Sequence, residues 1–196
     1  MKAIELKQAM DSDAALNEFE ERAYLGISSL SRCPRELVRW LGGGRRRPGL
    51  KGRRLCHEGY LHEADVIRRL EAGGVTVRDQ GREVVYDRDP RLIGHVDAII
   101  GDSVLEIKSV TTEKYDQVVN DGPFSEHIIQ TQLYMRLLGY KRGVIIYKDR
   151  QYGALWVCDV WPNGAVEDLM IEKAMMVLRA FDEGWLPACE CGRCRA

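Results

Sequence analysis

Hydrophobic positions recur at helical spacing in the first third of the chain and at strand spacing beyond it. Helices are predicted over Ser12–Arg22, Leu30–Leu41 and Leu55–Ala72, and two glycines follow the third. The period then changes to two, which is typical of β-strands. Strands are predicted over Val75–Val77, Glu83–Tyr86, Leu92–Ile100 and Val104–Val110.

The second half of the chain alternates between the two periods. It predicts a helix over Phe124–Leu138, strands over Val144–Lys148 and Ala154–Val160, and a final helix over Val166–Asp182. Helices before, between and after the strands predict a mixed α/β fold, in which helices flank a central sheet. The length of 196 residues suits a single domain over 1–196.

A basic segment interrupts this pattern between the second and third predicted helices. Residues 32–54 contain nine Lys or Arg and one acid, whereas the whole chain has a net charge of −1. Residues 42–54 are predicted to be a flexible basic loop, because glycines and a proline accompany the arginines. Such a loop is either a solvated surface or a guide for a nucleic-acid backbone. The candidate nucleic-acid contacts are Arg45, Arg46, Arg47, Lys51, Arg53 and Arg54.

The chemistry is concentrated in one predicted hairpin. Gly101-Asp102 lies between two apolar runs, which is a signal for a two-residue turn. With that turn, Asp97 lies across from Glu106, and His95 lies across from Lys108. Side chains alternate along a strand, so these four share one face and leave an apolar face for the core.

Two opposed carboxylates in a cleft require a proton or a cation between them. A hard divalent ion such as Mg²⁺ or Mn²⁺ prefers oxygen ligands, polarises a phosphodiester and lowers the pKa of bound water. Lys108 extends from the same face and is expected to orient the water or offset charge on the phosphate. The triplet alone is weak evidence, because Glu5-Leu6-Lys7 repeats it by chance. The opposed Asp97 is what strengthens the hypothesis.

Two other groups of residues carry candidate chemistry. Gln130 and Tyr134 are four residues apart and therefore share one helix face, for packing or for support of a site. The chain also has six cysteines, which in a reducing compartment do not indicate a disulfide framework. Three of them form a compact Cys-x-Cys-x-x-Cys near residue 190, and its Cys-x-x-Cys part fits zinc.

These motifs, in this order, resemble the RecB-like branch of the PD-(D/E)xK nucleases. Gly-His-Val-Asp97 followed by Glu106-Ile107-Lys108 resembles the nuclease core, and the segment 59–63 resembles the motif that adds a histidine ligand. The segment 130–134 resembles the Gln-x-x-x-Tyr motif of the same branch. The cysteines resemble its iron–sulfur staple. In size and motif order the chain is most similar to the CRISPR-associated RecB-like exonucleases (the fourth Cas protein) and their phage relatives.

The resemblance implies a restriction-endonuclease-like core whose two ends are joined by a metal cluster. It implies a Mn²⁺ or Mg²⁺ ion held by His62, Asp97, Glu106 and the Ile107 carbonyl, with Lys108 acting on the water. Gln130 and Tyr134 would support that site. It also implies a [4Fe–4S] cluster, with Zn²⁺ as the alternative. The ligands of that cluster would be Cys33, Cys189, Cys191 and Cys194.

The implied activity is exonucleolytic cleavage of single-stranded DNA, with a CRISPR integrase complex as a further partner in spacer acquisition. A phage or repair recombination nuclease of the AddB or RecB type is an alternative. A non-catalytic nucleic-acid-binding module with a metal staple is another. No apolar run reaches membrane-spanning length and no signal peptide is recognisable, which predicts a cytoplasmic protein without membrane contact.

Overall fold

A computed structural model describes residues 3–12, 23–44, 48–192 and 194. The helices are α1 (Ala3–Asp11), α2 (Pro34–Arg39), α3 (Leu50–Ala72), α4 (Thr112–Asp121), α5 (Ser125–Leu138) and α6 (Gly164–Asp182). The strands are β1 (Leu25–Gly26), β2 (Val77–Arg78), β3 (Glu83–Val85), β4 (Leu92–His95), β5 (Ala98–Ile100), β6 (Ser103–Val110), β7 (Gly143–Asp149) and β8 (Leu155–Val160). This confirms the mixed α/β class.

The main sheet has five strands in the order β2-β5-β6-β7-β8. Its central strands, β6 and β7, pair in parallel, and all other pairs in this sheet are antiparallel. Every residue of β7 is buried, and so are most of β6, because helices cover both faces. On one face, Val66 and Ile67 of α3 pack against Ala98, Leu105 and Ile107.

The other face of the main sheet carries the larger core. Helices α5 and α6 contribute Leu133, Met135, Val177 and Leu178, which are all at most 1% exposed. A smaller sheet of order β1-β4-β3 joins this core through Leu25, Val84 and Leu92. The result places the strand β6, with its Glu-x-Lys triplet, at the centre of the molecule.

The predicted strand over Leu92–Ile100 was wrong, because the structure divides it into β4 and β5, which belong to different sheets. Strand β4 pairs with β3, so His95 lies opposite Glu83 instead of Lys108. The chain leaves β4 at Val96, whose N–H donates to the Arg82 carbonyl, and re-pairs from residue 98 onward.

The predicted helix over Leu30–Leu41 was too long at its start. Ile27–Ser29 form a 3₁₀ turn, and the α-helix begins at Pro34, a residue suited to the first helical turn because it has no N–H to satisfy. The predicted loop over 42–54 was wrong in its last part. Helix α3 begins at Leu50, since Lys, Arg and Leu after Pro48-Gly49 are good helix formers.

Three elements were not predicted: α1, β1 and α4. Strand β1 has only two residues and α4 has few apolar side chains, so neither produces a clear periodic signal. Residues 13–22 of the predicted first helix lie outside the described residues, as do Arg45, Arg46 and Arg47.

Candidate metal centres

The predicted hairpin register is confirmed at the turn. Ile100 pairs with Ser103 and Ala98 with Leu105, around Gly101, whose φ of 55° requires the left-handed conformation that glycine adopts easily. Asp97 lies just before the ladder begins. Its Oδ2 accepts a 2.6 Å hydrogen bond from the Ile107 N–H, which fixes the carboxylate against β6.

Glu106 is the centre of a buried polar group. Its side chain is fully buried, and its Oε1 accepts a 2.8 Å hydrogen bond from Gln130 Nε2. The same oxygen forms an ion pair with Lys108 Nζ, which in turn donates to Gln130 Oε1 at 3.3 Å. Gln130 on α5 thus links the acid and the base of β6, so the sequence-predicted Glu106, Lys108 and Gln130 are together.

The second carboxylate oxygen of Glu106 has no hydrogen-bond partner among the described residues, although it is buried. An orphaned buried oxygen is costly unless a cation or water binds it. Burial raises the pKa of Asp97 well above its ordinary value, and the charges of Glu106 and Glu63 raise it further. Burial also raises the pKa of Glu106, although Lys108 and Gln130 oppose that shift. A hard divalent cation satisfies each of these requirements, so the donor set fits one.

Two neighbouring residues of helix α3, His62 and Glu63, experience different charges. The pKa of Glu63 is raised by burial and by the charge of Glu106. His62 instead has a pKa lowered by burial and by Lys148 and Arg150. Glu63 is therefore electrostatically coupled to the carboxylates, and His62 as a metal ligand stays a prediction.

A sequence signal for Glu63 exists. Glu63 precedes Val66 by three residues and Ile67 by four, so it lies on the helix stripe that packs against the sheet. His62 is one residue earlier, and each residue rotates the side chain by about 100° around a helix.

Tyr134 lies behind the site. It is 1% exposed, and its hydroxyl accepts a 3.2 Å hydrogen bond from the His95 N–H. The ring packs on Gly94, where an added Cβ would come within 2.6 Å of Tyr134 Cε1. Tyr134 therefore holds β4 against α5. His95 pairs with Glu83 and not with Lys108, and its Nε2 lies 3.7 Å from Glu83 Oε2.

A histidine on α5 is held by a buried tyrosine. His127 Nδ1 lies 2.7 Å from the hydroxyl of Tyr147, which is fully buried and also accepts a hydrogen bond from the Phe124 N–H at 3.2 Å. We assign the Tyr147 hydroxyl as the donor to Nδ1, because its oxygen already accepts from the Phe124 N–H; this assignment leaves the His127 ring as an Nε2–H donor. Burial, Lys108 and Lys114 lower the pKa of His127 to about 3, so the ring is neutral.

Beside the buried Glu106 lies a cavity of about 1020 Å³, which is reached through its two hydrogen-bonded neighbours, Lys108 and Gln130. Lys108, Gln130 and His127 form part of its wall, and Arg32, Arg39 and Trp40 form another part. Arg32 stacks over the Trp40 ring at 4.8 Å and pairs with Glu36, so this basic wall is ordered. Cys33, Cys191 and Cys194 also line the cavity.

Four cysteine sulfurs converge at that wall. Sγ–Sγ distances are 3.7 Å from Cys189 to Cys191, 3.5 Å from Cys191 to Cys194 and 3.6 Å from Cys194 to Cys33. Burial alone would raise the pKa of the Cys33 thiol, but hydrogen bonds from the backbone of Glu190 and Glu36 lower it to about 6. Within the described ranges, they are the only group of three or more Cys, His, Asp or Glu residues whose ligand atoms all lie within 4.8 Å of one another. Such a set can bind one soft ion or an iron–sulfur cluster, and the sulfur spacing separates the two.

The remaining predicted residues are placed as follows. Lys51, Arg53 and Arg54 lie in the first turns of α3, with Lys51 and Arg54 exposed and Arg53 half-buried. Cys56 is exposed and Cys158 half-buried, and neither belongs to the cysteine group. None of the helices in the described part of the chain has the length and apolarity needed to cross a membrane.

No protein-family model matches the chain, and no curated protein matches it in sequence. Solved structures do match in shape. An alkaline exonuclease from Laribacter hongkongensis, LHK-Exo, superposes with a TM-score of 0.67 at 16% identity, over 84% of this chain and 90% of its own. The same enzyme in complex with dAMP gives a TM-score of 0.68. A phage-related exonuclease from Haemophilus somnus gives 0.55 at 13% identity, over 86% of this chain and 96% of its own.

The chain has the fold of these exonucleases. At such low identity, the likeness shows the architecture, and the chemistry rests on this chain's own residues.

Proposed function

We propose that this protein is a divalent-metal-dependent DNA nuclease that degrades single-stranded DNA from an end. The observation that carries the proposal is the buried Glu106 between the half-buried Asp97 and Lys108, with a second carboxylate oxygen that has no hydrogen-bond partner among the described residues, and with Lys108 in the wall of a cavity. The exonuclease fold of the solved neighbours supports it.

In this proposal, Asp97, Glu106 and the Ile107 carbonyl hold one Mg²⁺ or Mn²⁺ ion, with Glu63 or His62 from α3 as a further ligand. The ion supplies Lewis-acid activation of a phosphodiester and of its attacking water. Lys108 orients that water and offsets negative charge on the phosphate, because its ammonium is held at the edge of the site by Glu106 and Gln130.

His127 serves the substrate as a neutral donor. Its Nε2–H is available to a phosphate oxygen, since Tyr147 occupies Nδ1. The arginines of the cavity wall attract the DNA backbone, and Trp40 offers a ring on which bases stack. Lys51, Arg53 and Arg54, together with Arg45, Arg46 and Arg47, extend this basic surface in the proposal.

The resemblance of the motifs adds finer proposals. The biological role is spacer trimming beside a CRISPR integrase complex, in a cytoplasmic setting, with phage or repair recombination as the alternative. The genes adjacent to this one distinguish these roles. For the four cysteines there are two alternatives. The same resemblance suggests a structural [4Fe–4S] cluster, whereas their compact spacing suggests a zinc ion.

The test is cleavage of end-labelled single-stranded DNA with Mn²⁺, with Mg²⁺ or with chelator. Wild type is expected to need metal and to spare a covalently closed circular strand. Glu106→Gln keeps the side-chain volume but removes a metal ligand, so cleavage should fall by about 10²–10³-fold or more.

Glu5→Gln is the matched control, because Glu5 belongs to the chance Glu-x-Lys triplet on α1 and should leave the rate unchanged. Equal cleavage by wild type and Glu106→Gln would contradict the assigned site. DNA binding in chelator with no cleavage under any metal would favour the non-catalytic binding module.

A further inference from the structure

The four cysteines come from opposite ends of the described chain. Cys33 occupies the N-cap position of α2, and the other three lie at positions 189–194, beyond the end of α6 at Asp182. Cys33 and Cys194 are 161 positions apart in sequence, yet their sulfurs are 3.6 Å apart. Whatever binds here joins α2 to the segment after α6.

The distances between sulfurs distinguish the two kinds of metal centre. Four thiolates on one tetrahedral ion at about 2.3 Å lie about 3.8 Å from one another. In a [4Fe–4S] cluster each thiolate binds a different iron, so the sulfurs must stand farther apart. The three measured contacts, 3.5–3.7 Å, and the limit of 4.8 Å for the whole set match the single ion.

The local chain geometry agrees with a compact site. Cys189 and Cys191 are separated by one residue, and Gly192 adopts a φ of 65°, which turns the backbone between Cys191 and Cys194. A Cys-x-x-Cys pair with a tight turn wraps one ion. A larger cluster would require these three thiols to move apart.

We propose that Cys33, Cys189, Cys191 and Cys194 bind a single tetrahedral Zn²⁺ ion and not an iron–sulfur cluster. Zinc is favoured because four thiolates are a structural zinc set and because the site has no open ligand position for chemistry. The ion fixes the wall of the cavity that contains Lys108 and Gln130, without taking part in the reaction. This inference does not depend on the proposed nuclease activity.

The experiment is metal and sulfide analysis of the full chain, purified without oxygen from cells grown with both iron and zinc. About one zinc per chain and no acid-labile sulfide is the expected result. About four irons with equivalent sulfide and visible charge-transfer absorption would overturn the proposal. A protein without any bound metal would overturn it as well. Handling without oxygen matters because air can destroy a cluster and leave the thiolates free for zinc.

Two further measurements do not depend on which metal the cells insert during expression. The apo protein is titrated with Co²⁺, which should give the spectrum of tetrahedral thiolate coordination at one equivalent. Cys191→Ser should lose the bound zinc, whereas Cys56→Ser, at an exposed cysteine outside the group, should keep it. If Cys191→Ser fails to fold, the wild-type metal content and the Co²⁺ titration still decide.

Discussion

The cysteine centre lines the cavity and the carboxylate centre lies behind Lys108 and Gln130 in its wall, and the two centres are built in opposite ways. Glu106 is on the central strand β6 and Asp97 directly precedes β5, and hydrogen bonds from the Ile107 N–H and the Gln130 amide hold their carboxylates. The cysteines come from segments far apart in sequence, and their sulfurs contact one another. The first centre is therefore preorganised for a metal that exchanges, and the second is organised by a metal that stays.

This difference predicts that a shift in pH acts first on the carboxylate centre. The raised pKa of Asp97 and Glu106 means that protons compete with the divalent ion at pH values where ordinary carboxylates are already ionised. Lowering the pH from about 8 to about 6 should therefore slow cleavage by tenfold or more at limiting Mn²⁺. Raising Mn²⁺ should restore the rate.

The measurement is a pH–rate profile at two Mn²⁺ concentrations, with the zinc content determined at each pH. A profile whose midpoint does not move with Mn²⁺ would contradict competition at these carboxylates. Loss of zinc in step with activity would remove the distinction between the two centres.

The same burial predicts that the carboxylate centre costs stability when it is empty. A carboxyl whose folded pKa is raised contributes stability below its unfolded pKa, and that stability is lost as pH rises through the folded pKa. At neutral pH in chelator, Asp97→Asn should therefore raise the free energy of unfolding by about 1 kcal/mol, and with Mn²⁺ present the same variant should not cleave DNA.

Thermal unfolding in chelator checks this prediction, with Asp159→Asn as the control on the exposed edge strand, where Asp159 pairs with Arg142. Cys191→Ser should shift the melting temperature in the opposite direction. A fall in melting temperature for Asp97→Asn would mean that its carboxylate is needed by the fold and not reserved for a metal.

The smallest expected effect concerns the tautomer of His127. Tyr147→Phe removes the hydroxyl that donates to Nδ1, so the ring is free to place its proton on either nitrogen. KM for single-stranded DNA should rise about two- to fivefold with little change in kcat, which corresponds to one weakened neutral hydrogen bond. His127→Ala should give a similar KM, and combining the two changes should add nothing. An additive double variant would show that Tyr147 acts through packing alone.

Most of the candidate site could be predicted from the sequence because its residues are close together along the chain. The turn at Gly101-Asp102 sets the register, and the period of two then puts Asp97 and Glu106 together. His95 was misplaced because the strand breaks after it, and that break depends on pairing with β3 and on the Tyr134 ring over Gly94. The residues around His95 do not by themselves predict either contact.

The choice between His62 and Glu63 illustrates a different limit. Both residues carry a plausible ligand, and only the rotation of α3 decides which one faces β6. That rotation is set by Val66 and Ile67 against the sheet. The buried Tyr147 beneath His127 could not be predicted either, because its place under α5 depends on the parallel pairing of β6 with β7, two strands that are distant in sequence.

The link between Cys33 and Cys194 also has a meaning in polymer terms. A cross-link that encloses 161 positions restricts almost the whole unfolded chain, and closing a loop of that length costs an entropy worth about 5 kcal/mol at 25 °C. If the thiolates bind their ion only at the end of folding, this entropy is lost during folding. If they keep the ion after unfolding, the unfolded chain has already lost it. Whether the four-cysteine site holds its ion thus sets the conformational entropy of the unfolded chain.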